Sequence, residues 1–158
     1  MLVGERMKKL SAQQIGRCGE LLVQYKLLLF GIEASRLPTD SGIDLVGFSN
    51  RRNKAITIQV KSNLRPKPGG GGKGKLHLDW WIPEKTPAEL IALTDLERQK
   101  VWLFKMKEIP KVAQQNPKGR YHFFMAVDPT KSHRKDGKPV HEYEFEKYLL
   151  ENQVHKIF

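Results

Sequence analysis

The sequence predicts a mixed α/β fold, a central sheet flanked by helices in a single domain over residues 1–158, and three observations carry that expectation. An apolar helical period runs from about residue 11 to 30. Strict two-residue alternation follows from Lys54 to Lys61, and further short strand and helix patterns continue to the end of the chain. With 158 residues, 39% of them hydrophobic, the chain can bury one proper core. Neither an internal repeat nor a shift of composition marks a second domain.

The first helix opens at Ser11-Ala12-Gln13-Gln14, a capping-box signature, and Gly31 is its natural stop. Ile15, Cys18, Leu22, Tyr25 and Leu29 recur at helical spacing. Leu21, Val23, Leu27, Leu28 and Phe30 fill most of the remaining circumference, so burial on more than one side is expected, with Cys18 a buried thiol. The polar strip is narrow: Gln13, Arg17, Glu20 and Gln24, with an Arg17–Glu20 surface pair as its plain interpretation.

Two strands come next, Ile43 to Phe48 and Lys54 to Lys61, joined through the turn-forming run Ser49 to Asn53. Ile56, Ile58 and Val60 take one face of the second strand, and Thr57, Gln59 and Lys61 the other. In an antiparallel hairpin the start of one strand lies opposite the end of the next, so Asp44 is expected to meet Gln59 and Lys61. An acid, an amide and an amine together can hold a divalent metal beside a basic nitrogen. Asp40, in the preceding turn, is the alternative acid.

Residues 64–75 form a basic, glycine-rich stretch carrying Arg65, Lys67, Lys73 and Lys75. Gly69 to Lys75 matches G-x-x-x-x-G-K, yet Leu76 stands where Ser or Thr is required and Leu76 to Trp80 alternates as a strand, which argues against a P-loop. Two readings stay open, a flexible cationic loop that orders on a phosphate backbone and a flexible connector. In the strand Leu76 to Ile82, Leu78 and Trp80 face inward; His77, Asp79 and Trp81 share the other face. Thr86-Pro87-Ala88-Glu89 predicts a short helix running towards Leu93. Strands at Val101–Met106 and Tyr121–Val127 flank a basic helical turn at 108–115, and a terminal helix is expected over 142–158.

A formal net charge of +11 favours a polyanionic partner. The single cysteine excludes a disulfide framework and a cysteine-based zinc site. The five histidines show no ligand spacing, and His133 and His141 are expected to face solvent or phosphate. The apolar run Leu27–Phe30 is far too short to span a membrane and no signal-peptide pattern opens the chain, so a cytoplasmic setting is expected.

Four features occur in order: Gly19-Glu20 on the first helix, the apolar segment Ile32 to Leu37, Ser41-Gly42-Ile43-Asp44 opening a strand, and Gln59-Val60-Lys61 ending the next. Over about residues 11–63 the chain thereby resembles the PD-(D/E)XK nuclease superfamily, in the compact form shared by Holliday-junction resolvases and restriction-endonuclease-like proteins. Gln59 makes it a QxK variant. The resemblance implies a restriction-endonuclease-like sheet and a DNA endonuclease that hydrolyses phosphodiester bonds with Mg²⁺ (or Mn²⁺). It implies Glu20, Asp44, Gln59 and Lys61 as catalytic residues. The metal would be held by Asp44, Gln59, the Val60 carbonyl and Glu20, with Lys61 serving the attacking water or the phosphate charge. Arg65, Lys67, Lys73, Lys75, Arg51 and Arg52 would contact DNA. Cutting two strands calls for two sites, hence a homodimer. An amide is a poorer ligand for a hard cation than a carboxylate, so a second class stands beside the first: a nuclease-fold nucleic-acid-binding protein or subunit with weak or no catalysis. A third is a basic RNA-binding protein in which the match is accidental.

Overall fold

A computed structural model describes residues 9–39 and 41–158; Asp40 lies outside the described residues. Helix α1 (Ala12–Leu29) begins as its sequence requires. Ser11 Oγ accepts from the Gln14 amide at 3.2 Å and Gln14 Oε1 accepts from the Ser11 amide at 2.8 Å. Strands β1 (Ala34–Arg36), β2 (Leu45–Ser49), β3 (Lys54–Asn63), β4 (Lys67–Pro68), β5 (Leu76–Pro83), β6 (Leu90–Asp95) and β7 (Lys100–Lys105) follow. Then come α2 (Ile109–Val112), β8 (Arg120–Ala126) and α3 (Leu150–Ile157). The strands form two sheets, five-stranded β1-β2-β3-β6-β7 and three-stranded β4-β5-β8.

β3 is the hinge of this topology. It pairs antiparallel with β2, with Leu45 opposite Ile58, and parallel with β6, with Ile58 opposite Leu90. One apolar core lies between the sheets and contains Leu78, Trp80, Ile91, Leu93, Trp102, Phe104 and Phe123. The other lies under α1 and α3 and contains Val23, Leu27, Leu45, Ile58, Leu90, Leu103 and Val154.

Four expectations are corrected. The helix predicted from Thr86 is strand β6, buried along its whole length. Ile91 and Leu93 enter one core while Leu90 and Ala92 enter the other, so the strand must be apolar on both faces and carries no alternation to read. Of the apparent capping residues, Glu89 serves β3 instead. Glu89 binds Lys54 Nζ at 2.6 Å and the Thr57 amide at 3.3 Å. Helix α1 is buried on one side only, at Gly19, Val23 and Leu27, because the sheet covers one side of it; Leu21, Tyr25, Leu28 and Leu29 are exposed, and so is Cys18. The terminal helix breaks at Leu149, where the backbone turns extended and bridges to Trp102 on β7, leaving a 3₁₀ segment at Glu142–Tyr148 before α3. The glycine-rich stretch closes as a small hairpin, with Lys67 opposite His77 and the Gly69 amide donating to the Lys75 carbonyl at 3.1 Å. Gly70, Gly71 and Gly72 supply the positive φ angles of 56°, 72° and 92° that its tip demands.

A polar clamp fastens the terminal segment to the β6–β7 turn. Arg98 bonds Asp95 at 2.5 Å and Glu142 at 2.9 Å, and Lys100 bonds Glu142 at 2.9 Å. Burial disfavours the ionised Glu142 carboxylate, but hydrogen bonds from Arg98 and Lys100 outweigh it and hold the group below the ordinary glutamate range. A carboxyl depressed in the folded state contributes stability above its unfolded pKa and loses it as the pH falls through the folded value. Urea midpoints should therefore drop on acidification below about 4.5, and Glu142→Gln should flatten that dependence.

The second constraint is steric. A Cβ added at Gly19 would lie 1.8 Å from Ser62 Oγ, so α1 reaches β3 only because position 19 has no side chain. Gly19→Ala should destabilise the protein by about 1–3 kcal/mol through forced separation of helix and sheet. Equilibrium urea unfolding measures it.

Candidate active site

Asp44 sits one residue before β2 and is fixed to β3 at two points. Its amide donates to the Ile58 carbonyl at 2.9 Å, and its Oδ2 accepts from the Val60 amide at 2.7 Å. Asp44 thus spans Gln59, binding the residue before it through its amide and the residue after it through its carboxylate. Val60 turns its amide towards Asp44, and the amide and carbonyl of one strand residue project to the same side, so the Val60 carbonyl faces that side as well. The Asp44 carbonyl is taken by the Leu37 amide at 3.0 Å, on the side of the chain that leads to β1.

Gln59 is buried, at 7% exposure, and its Oε1 has no hydrogen-bond partner. An unsatisfied buried amide oxygen is costly, of order 1–3 kcal/mol, and a cation would satisfy it. Gly42 makes room beside it. Its φ of 80° belongs to glycine, and a Cβ there would meet Pro87 at 3.1 Å and Gln59 Nε2 at 4.0 Å. Lys61 lies two residues beyond Gln59 on the same face and is half-buried; among the described residues its side-chain amine has no hydrogen-bonding or ionic partner.

Glu20 approaches from the helix side. Gly19 rests on Ser62, the neighbour of Lys61, so Glu20 follows directly on the point of closest helix–strand approach. Its Oε2 accepts from Arg17 Nη1 at 2.9 Å and from Arg36 Nε at 2.8 Å. The carboxylate is therefore partly neutralised by two guanidinium groups.

The basic residues divide. Lys67, Lys73 and Lys75 are exposed on the glycine-rich hairpin, where Lys75 bonds Thr130 Oγ1, and Arg65 stands 4.0 Å from Glu97. Arg51 is exposed in the β2–β3 turn, whereas Arg52 donates to the Lys156 carbonyl at 2.6 Å and ties that turn to α3.

Asp79 turns away from Asp44's neighbourhood, binding His122 Nε2 at 3.0 Å on the outer face of the smaller sheet. There Trp81 stacks on His122 at 4.2 Å with Arg120 above it at 4.9 Å, and Lys131 lies over Phe124 at 5.2 Å. The sequence reading missed this cationic aromatic face. The outward alternation of Arg120, His122 and Phe124 along β8 was the signal that could have found it. His141 is buried rather than facing solvent, so that expectation is also corrected.

No protein-family model matches this sequence, and no curated protein matches it. In fold the chain is similar to a solved bacterial homing endonuclease, I-Ssp6803I. The TM-score is 0.59 at 16% sequence identity, and the match covers 93% of this chain and 91% of that one. The mixed α/β architecture expected from the sequence, with a mixed sheet flanked by helices, is thus shared with a homing endonuclease.

Proposed function

We propose that this protein is a metal-dependent DNA endonuclease of the PD-(D/E)XK type. The observation that carries the reading is the buried, unpartnered Gln59 Oε1 beside a carboxylate clamped across it, with Lys61 on the same face. The fold likeness to a homing endonuclease supports a nuclease, and the net charge of +11 supports a polyanionic substrate.

Asp44, Gln59 and the Val60 carbonyl are the groups that would hold Mg²⁺ or Mn²⁺, an all-oxygen donor set suited to a hard cation, and Glu20 lends a further carboxylate from α1. When bound, the ion supplies positive charge to the phosphate oxygens and acidifies water. Lys61 orients or deprotonates the attacking water, or stabilises charge developing on the phosphate. Lys67, Lys73, Lys75, Arg65, Arg51 and Arg52 give the DNA backbone its cationic track, and the protein acts as a homodimer. A binding protein with weak catalysis is favoured by two observations, the amide at Gln59 and the pairing of Glu20 with Arg17 and Arg36.

The deciding experiment compares cleavage of supercoiled, linear, single-stranded and branched DNA by three proteins in Mg²⁺, Mn²⁺ and chelator. Wild type should cut and stop in chelator. Asp44→Asn keeps an oxygen for the Val60 amide while removing the charge, and should be folded and inactive. Lys61→Ala should lose about 10²–10⁴-fold in rate. Equal cutting by all three would reject the assignment.

Metal binding tests Gln59 separately. Calorimetric titration with Mn²⁺ should show tighter binding by Gln59→Glu and weaker binding by Gln59→Ala than by wild type. Identical affinities would remove Gln59 from the metal's ligands.

A further inference from the structure

His141 lies at the start of the 3₁₀ segment, 1% exposed, with its backbone bridged to Ala126 at the end of β8. Its Nε2 is 2.7 Å from the Lys131 carbonyl. A carbonyl oxygen only accepts, so Nε2 carries the hydrogen of that bond. In a neutral imidazole Nδ1 is then a bare lone pair, and it faces Glu144 Oε2 at 3.2 Å.

That carboxylate is anchored as an acceptor, taking the Val140 amide at 2.9 Å and the His141 amide at 2.8 Å. Two acceptors in contact need a cation between them. A proton on Nδ1 would suffice for this pair alone, but a third donor converges on it: the exposed His133 ring lies 4.7 Å from His141, centroid to centroid. One donor atom from each of His133, His141 and Glu144 lies within 4.8 Å of the others.

We propose that His133, His141 and Glu144 bind one divalent transition-metal ion of the zinc class, leaving a fourth position to solvent. Two imidazoles and one carboxylate suit zinc and disfavour magnesium, so this centre is chemically distinct from the all-oxygen set at Asp44. A tetrahedral zinc site has donor–donor edges of about 3.3 Å, a length that His141 Nδ1 and Glu144 Oε2 already approach. A swing of the exposed His133 closes the remainder. The His141–Lys131 hydrogen bond is the outer contact that aims a ligating imidazole. Metal here would pin the basic loop of Lys131, Arg134, Lys135 and Lys138 against the end of β8.

The test uses the full chain, stripped with chelator and titrated with Zn²⁺ by calorimetry in excess Mg²⁺, with Co²⁺ absorption reporting coordination geometry. Wild type should bind one equivalent, unaffected by Mg²⁺, and give the visible bands of tetrahedral cobalt. His133→Gln should weaken Zn²⁺ binding by at least about tenfold. This exposed position avoids the folding risk of replacing buried His141. Asp44→Asn should bind Zn²⁺ as wild type does. Absence of Zn²⁺ binding would overturn the proposal in favour of a protonated His141–Glu144 pair. Unchanged affinity in His133→Gln, or loss in Asp44→Asn, would also overturn it.

Discussion

Just before β2 a carboxylate stands where a backbone carbonyl would complete the ladder. The Val60 amide needs an acceptor on its β2 side, and Asp44 Oδ2 provides it at 2.7 Å as the partner backbone turns towards β1. Because the acceptor is a side chain, Val60 is satisfied beyond the point where the backbone pairing of the two strands ends. Between the two residues that Asp44 binds lies Gln59 with its unpartnered oxygen, and Lys61 follows on the same face of β3. Metal chemistry here is the proposed use of an arrangement that backbone hydrogen bonding already requires.

Gly19 supplies the complementary constraint from the opposite layer. Its missing side chain lets α1 settle on Ser62 and Thr94, whose hydroxyl oxygens are both buried without partners. Helix and strand thus meet at the strand end that carries Lys61. The two arginines on Glu20 set the electrostatics there, since Arg17 and Arg36 both bind the same carboxylate oxygen. A cation recruited by Glu20 must compete with them, which places the main burden of any metal affinity on the β2–β3 side.

Local chemistry decided which parts of this molecule could be read from its sequence. The capping box at Ser11, the β2–β3 hairpin, the inward Trp80 and the strands around residues 101–106 and 121–127 each rest on periodicity or turn residues that tertiary structure left in place. β6 was illegible for a physical reason. A strand packed on both faces shows an unbroken apolar run, and Thr86-Pro87-Ala88-Glu89 imitates a helix start while Glu89 binds Lys54 and Thr57 on β3. The apolar circumference of α1 misled in the opposite direction, because the number of layers against a helix is a property of the fold and not of the helix. At the site, the start of the first strand meets the end of the second, with Asp44 binding the Ile58 carbonyl and the Val60 amide on either side of Gln59. The Arg17–Glu20 pair follows from helical spacing, whereas the second arginine on Glu20, Arg36, and the approach of His133 to His141 depend on contacts that no spacing in the chain encodes.

The parallel pairing of β3 with β6 bears on the order of assembly. Everything from Leu64 to Glu89, including the glycine-rich hairpin and β5, intervenes before β3 meets this neighbour. Until then β3 has one open edge, an apolar strand with unpaired amides and carbonyls that can template pairing with another chain. Non-local parallel pairing is intrinsically slow, since loop closure precedes the contacts that reward it. The β2–β3 hairpin can therefore form early and locally, while the rigid backing for Gln59 and Lys61 arrives only when β6 docks. During synthesis, the most chemically committed strand therefore waits with one edge unsealed until β6 has emerged.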